Sequence, residues 1–322
     1  MTFGGGYPTG TAQPGADIVT DPVPISVTGF QPLAVTMYTD RAARRITGHA
    51  LGNATSYYTD SAHGDHTGDL VGTTFARTTT RVPYVAQLDV LAPQPVSTIV
   101  AFGDSITDGH VAADFLSFPQ LEGVVDRNVR YPDFLQRRLD DVGAAIAVAN
   151  AGIGGNRLLA NGLFPEHGPA GESRIDADVL ALSGVTDVIV DIGINDLGTP
   201  IGASYEQLVA GYTRIIDRFH RAGVRVHLAT LAPASNAFAD GMTSFPPSDP
   251  VRIRVNSWIR SQPLADSVID FDAALRDPKN PSVLDLRYAS ADNLHPSSAG
   301  YQRMAETVDL APFASGPLRC RR

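Results

Sequence analysis

The 322-residue chain is short of several things that whole classes of protein need. It has one cysteine, Cys320, the third residue from its end. That excludes disulfide scaffolds and cysteine-ligated zinc sites. Basic residues are outnumbered, 25 Lys and Arg against 34 Asp and Glu, for a net charge of −9. Such a surface is a poor partner for a nucleic-acid backbone or an anionic membrane. No run approaches the roughly 20 apolar residues that span a bilayer. The first basic residue is Arg41 and no apolar stretch follows Met1, so no secretory leader is visible.

What is present reads as globular: 43% hydrophobic and 18% charged residues, over a length that suits one large or two ordinary domains. Composition shifts near residue 96. Residues 1–96 contain no Glu and no Lys, hold seven Asp and five Arg, and are rich in Thr, Pro, Gly and Val. β-type runs at 23–27, 33–39, 55–59, 73–79 and 84–91 are separated by turn residues, and helical periodicity is absent. The pattern predicts a smaller all-β, sandwich-like domain over 1–96, joined through the stiff linker Ala92-Pro93-Gln94-Pro95 to a second domain over 97–322.

In the second domain, apolar runs at 98–102, 146–149, 188–192, 226–231 and 268–271 alternate with helical segments at 131–142, 204–222, 250–261 and 297–309. Near-continuous apolar runs suit parallel strands buried on both faces. The alternation predicts an α/β domain built on a doubly wound parallel sheet. Ligands bind such sheets beyond the carboxyl ends of the strands, so the residues just after each strand matter most.

Gly103-Asp104-Ser105 follows the first strand, where a tight turn would hold the Ser105 hydroxyl out of the core. The tripeptide arises by chance in roughly one chain in ten of this length. Gly152-Ile153-Gly154-Gly155 follows the second strand and lets backbone N–H groups approach a ligand. Gly193-Ile194-Asn195-Asp196 follows the third and can project an amide over the sheet edge. Taken singly, each also reads as an ordinary turn or cap. Near the end, Asp292-Asn293-Leu294-His295 spaces a carboxylate so that it can turn back and accept the Nδ1 proton, leaving Nε2 as a base.

Two further Asp-x-x-His patterns act as controls. Asp217 and His220 end the helix that feeds the fourth strand, at the opposite edge of the sheet; Asp60 and His63 fall in the β region. Neither brings a base to Ser105. His63, Asp65 and His66 make one short cluster, poor as a metal site, and His49, His110, His167 and His227 have no patterned partner.

Jointly, these blocks resemble the SGNH hydrolases, also called GDSL esterases and lipases. The likeness covers about residues 97–310 and departs at Ile106, where the family usually has Leu. It implies a three-layer, flavodoxin-like α/β fold and a serine esterase. Ser105 would be the nucleophile, His295 the base and Asp292 its orienting carboxylate. The N–H groups of Ser105 and Gly155 and the amide of Asn195 would form the oxyanion hole, with Gly154 the alternative to Gly155. No metal or organic cofactor is required.

Residues 1–96 are similar to the β domain of some bacterial members, in which it is longer at its start. The resemblance therefore implies a shortened β unit, and it favours secretion. The implied partner is a small-molecule ester. An acetylated polysaccharide is the alternative, with Tyr57, Tyr58 and Tyr84 as sugar contacts, although core packing suits those tyrosines better. A phosphate binder using the glycine turns would leave the Asp292/His295 spacing unexplained. A purely structural sugar-binding protein would account for residues 1–96 alone. The stretch 232–250 is long enough to act as a flap beside the site.

Overall fold

Strand β5, Ser97–Gly103, carries the logic of the α/β part. Its residues Ile99, Val100, Ala101 and Phe102 are wholly buried, as a central parallel strand requires of a run that is apolar on both faces. β6 (Ile146–Gly152) pairs on one side and β7 (Val185–Asp191) on the other. β8 (Arg225–Ala229) and β9 (Ser267–Ile269) complete a parallel five-stranded sheet of order β6-β5-β7-β8-β9. Each expected strand overlaps one of these five. The computed structural model describes residues 1–13, 15–41, 46–60, 63–117, 119–198, 202–237 and 248–314.

The helices form for local reasons that the sequence states. In α5 (Tyr205–Arg221), the Ser204 hydroxyl accepts the Gln207 N–H, and the Gln207 side chain accepts the Ser204 N–H. Leu208, Tyr212, Ile215, Ile216 and Phe219 make its buried stripe. α2 (Tyr131–Asp141) has Pro132 in its first turn and buries Tyr131, Leu135 and Leu139. α6 (Asp249–Ser261) packs with α5, and α8 (Ser298–Thr307), capped by Ser297, packs with α2. The two helical pairs cover the sheet's two faces, giving the three-layer arrangement.

Strand order reverses at β5, which puts the crevice of a doubly wound sheet between β5 and β7. Gly103 lies opposite both Gly152 and Asp191 in the ladder. The carboxyl ends of β5, β6 and β7 are therefore level, and the turns that follow them emerge at one edge.

Before residue 97 the described residues form two two-stranded antiparallel sheets. β1 (Gly48–His49) pairs with β4 (Val82–Pro83), and β2 (Ser56–Tyr58) with β3 (Arg77–Thr79). The expected strands at 23–27, 33–39 and 84–91 do not form. Residues 22–40 are exposed throughout and belong to no ladder, and a run with no strand beside it makes none of the ladder bonds that would hold it as a strand. Tyr84 has φ 63°, which turns the chain out of the extended region. Tyr57, Tyr58 and Tyr84 are exposed rather than packed in a core. Successive residues of a strand face opposite ways, so Tyr57 and Tyr58 do not make one flat platform.

Packing divides the chain into two compact units, Met1–Arg41 with His63–Val71, and Ala42–Ala62 with Gly72–Arg322. This division does not follow the composition shift at residue 96, because the β1–β4 ribbon belongs with the α/β sheet. In the first unit, the Asp21 carboxylate gathers the Thr2 hydroxyl and the N–H groups of Gly5 and Gly6. Among the described residues, no helix is long and apolar enough to cross a membrane. Cys320 and residues 238–247 of the expected flap lie outside the described residues.

Candidate active site

Ser105 opens the short helix α1 (Ser105–Asp108) directly after β5. Asp104 caps it by accepting the Ile106 N–H at 3.0 Å, and Gly109 ends it with φ 89°, a conformation suited to glycine. Close packing fixes the turn. A Cβ on Gly103 would stand 2.0 Å from the Thr107 hydroxyl, and one on Gly152 would stand 2.2 Å from the Asp108 nitrogen.

The Ser105 hydroxyl meets His295 Nε2 at 2.7 Å. His295 Nδ1–H meets Asp292 Oδ2 at 2.6 Å. Asp292 Oδ1 accepts the N–H groups of Leu294 and His295 and the Ser290 hydroxyl, each at 3.0 Å, while Oδ2 also accepts the Ser117 hydroxyl at 2.7 Å. Asn293, with φ 59°, supplies the reversal that folds the carboxylate back. Burial would raise the Asp292 pKa, but the bonds and charge of His295 together with Ser117 outweigh it and hold the carboxyl well below its usual range. His110, Asp292 and His295 also bring three ligand-capable atoms within 4.8 Å, the one such group among the described residues. Both nitrogens of His295 are already engaged there, by Ser105 and Asp292.

The other two blocks converge on the same edge. Gly155 has φ 71°, and a Cβ there would stand 2.6 Å from the His167 ring. The Gly154 N–H is donated to Asp108 Oδ2 at 3.0 Å. Asn195, in α4 (Ile194–Leu197), donates its side-chain amide to the Asn156 carbonyl at 2.9 Å. Asp196 accepts the N–H groups of Leu158 and Leu159, tying the turns after β6 and β7 together. Burial pushes Asp196 up to about 6 against those two bonds.

Residues 101–303 match the model of the GDSL-like lipase/acylhydrolase family. The chain belongs to that family. Among solved structures, the aryl esterase of M. smegmatis is similar, with 17% identity and a TM-score of 0.53 over 66% of this chain and 95% of its own. A carbohydrate acetylesterase from Sinorhizobium meliloti is similar too, with 14% identity and a TM-score of 0.51 over 67% of this chain and 99% of its own. At such identities the likeness shows the shared fold. No curated protein matches the sequence.

Several residues packed around this candidate site of the GDSL-family chain carry no sequence signal. His110 is buried, sets its ring against that of His295, and donates Nε2–H to the Ser117 carbonyl at 2.9 Å. Arg174, in α3 (Gly171–Ile175), lies beneath the turns with its guanidinium 4.0 Å from the Phe102 ring. It donates to the carbonyls of Gly103 and Ala151 and to Asn156 Oδ1, joining the ends of β5 and β6 to the turn that follows. A histidine between strands or an arginine on a helix looks ordinary until the fold gives it neighbours. Asp104 and Asp191 are both buried near Ser105, and burial raises the pKa of each.

The control histidines lie elsewhere. His220 bonds to Asp266 at 2.8 Å and not to Asp217, which pairs with Arg221. His66 bonds to Asp69 at 2.8 Å and to the His63 carbonyl, while Asp65 accepts from Thr67. His227 is a different case. It is buried between Ser267 Oγ, 2.7 Å from Nδ1, and Asp187 Oδ1, 2.8 Å from Nε2, with Phe313 packed 4.5 Å from its ring.

Proposed function

We propose that this GDSL-family hydrolase is a serine esterase that cleaves carboxylic esters through an acyl-enzyme. The observation that carries the reading is the unbroken hydrogen-bonded series from the Ser105 hydroxyl through His295 to Asp292, with distances of 2.7 and 2.6 Å. Ser105 Oγ attacks the acyl carbon while His295 Nε2 takes its proton. Asp292 holds the imidazole in the tautomer with a proton on Nδ1 and stabilises the cation that forms. The collapsing tetrahedral intermediate expels the alcohol, which receives the proton from His295. Water then repeats the sequence on the acyl-Ser105 ester and releases the acid.

Charge on the carbonyl oxygen is met by the N–H groups of Ser105 and Gly155 and by the Asn195 amide. Gly155 is preferred to Gly154, whose N–H is taken by Asp108. The Asn195 amide has two N–H donors. One is given to Asn156 O, which sets the amide plane, and the other serves the oxyanion.

The test is a panel of aryl and alkyl esters of graded acyl length together with acetylated xylan, run on the wild type and on Ser105→Ala. Xylan is included because structures of this fold include both an aryl esterase and a carbohydrate acetylesterase. Hydrolysis lost in Ser105→Ala, with fluorophosphonate labelling of the wild type at Ser105, supports the reading. A Ser105→Ala enzyme as active as the wild type ends it.

A further inference from the structure

His49 belongs to the N-terminal β1–β4 ribbon, yet its Nε2–H donates to Asp108 Oδ1 at 2.8 Å. Asp108 is the last residue of α1, the helix that Ser105 begins, and its carboxylate is almost wholly buried. Its second oxygen accepts the Gly154 N–H at 3.0 Å. One carboxylate thus links the nucleophile helix to the glycine turn, and the histidine from the ribbon holds that carboxylate from behind. Backbone packs on backbone here, since Gly152 leaves no room for a side chain against Asp108. The carboxylate is therefore a polar brace across this contact, beside the Asn150 amide, which donates to the Thr107 carbonyl at 2.8 Å.

The chain just after β1 also reaches the C-terminal cap of α1. Asn53 donates its side-chain amide to the Gly109 carbonyl at 2.9 Å and is held by Gln120 at 3.0 Å. Burial opposes a charge on His49, but the bond and charge of Asp108 outweigh it, and the pKa of His49 rises.

We infer that His49 is a positioning residue for hydrolysis: through the Asp108 carboxylate it keeps the glycine turn, with the Gly155 N–H, in register with Ser105. This rests on the esterase reading above. The hydrolase sheet then does not complete its own oxyanion site, because one of the fixed points comes from the sequence before it. His49 touches no reacting atom, and its effect falls on donors that matter most in the transition state. The signature is a loss in kcat with KM held, because donor misplacement weakens transition-state binding more than ground-state binding.

The experiment compares His49→Leu, His49→Gln, Asp108→Asn and the double variant His49→Leu/Asp108→Asn. Rates are normalised to active sites titrated by a fluorophosphonate, and thermal midpoints are recorded alongside. His49→Leu should lower kcat per titrated site roughly tenfold with KM within about twofold, the scale expected of a slightly misplaced donor. His49→Gln, which keeps a donor at similar reach, should return to within about threefold of the wild type. The double variant should be no slower than the slower single variant, because both substitutions break one link. A wild-type kcat per titrated site in His49→Leu overturns the inference, and so does His49→Gln as slow as His49→Leu or a fully additive double variant. If His49→Leu is not recovered folded, Asp108→Asn carries the same test, and an unchanged kcat there overturns it. Failure of the esterase reading looks different: the wild type takes up no fluorophosphonate, and the inference falls with it.

Discussion

The ring of His110 stands nearly at right angles to that of His295, with centroids 4.5 Å apart and planes at 75°. Burial, and then the proximity of His295, push the pKa of His110 down to about 4. An unfolded chain would bind a proton at this residue from about pH 6.5 downward. Between those values the unfolded state holds more protons than the folded one, so stability is full above about pH 6.5 and is lost as pH falls toward the folded value. From pH 7 to 4.5 the wild type should lose on the order of 2–3 kcal/mol more than His110→Phe, measured by urea unfolding. Parallel losses in both proteins would show that His110 is not held neutral.

Asn195→Ala should lower kcat about 10²–10³-fold while leaving KM nearly unchanged, the mark of a donor that acts on the developing oxyanion. Steady-state kinetics on a p-nitrophenyl ester reads it directly. An unchanged kcat would take Asn195 out of the site.

Asp292→Asn should be far worse than Ser117→Ala, although both disturb the same carboxylate oxygen. An amide at 292 can turn an N–H toward His295 and favour the wrong tautomer, costing about 10³–10⁴-fold in kcat. Removing the Ser117 hydroxyl leaves Asp292 with its other bonds and should cost less than about tenfold. Equal losses in the two variants would mean that Asp292 acts by packing and not by orienting the imidazole.

Gly155→Ala combines two penalties, a φ of 71° and a Cβ placed 2.6 Å from the His167 ring. We expect a lower melting temperature and a lower kcat. Adding His167→Ala should restore part of the stability, because the crowding is relieved while the backbone strain of about 1 kcal/mol stays. A double variant no more stable than Gly155→Ala would assign the whole cost to the backbone.

Much of the α/β architecture was legible because its signals are local. Both-faces-buried strands read as apolar runs, Ser204 and Ser297 announce their helices, and the turns after β5 to β7 fall where parallel strands must end. The spacing of Asp292 and His295 likewise encodes a single turn of chain. What stayed hidden depends on contacts between distant segments. Arg174 bonds the Gly103 carbonyl 71 residues away, and His49 reaches Asp108 across 59 residues. Neither pairing leaves a pattern in the sequence. The β-type runs at 23–27 and 33–39 failed in the opposite way: propensity was present, but among the described residues no strand pairs with them.

Ser267, His227 and Asp187 repeat the chemical groups of Ser105, His295 and Asp292, with the imidazole turned end for end. A three-dimensional search for an imidazole bridging an alcohol and an acid would therefore return this molecule at least twice. What sorts the two trios is strand polarity: Ser267 opens its strand, whereas Ser105 lies just past the far end of its own. On the esterase reading, the direction of the chain, more than the inventory of side chains, decides which hydroxyl becomes a reagent and which serves as mortar.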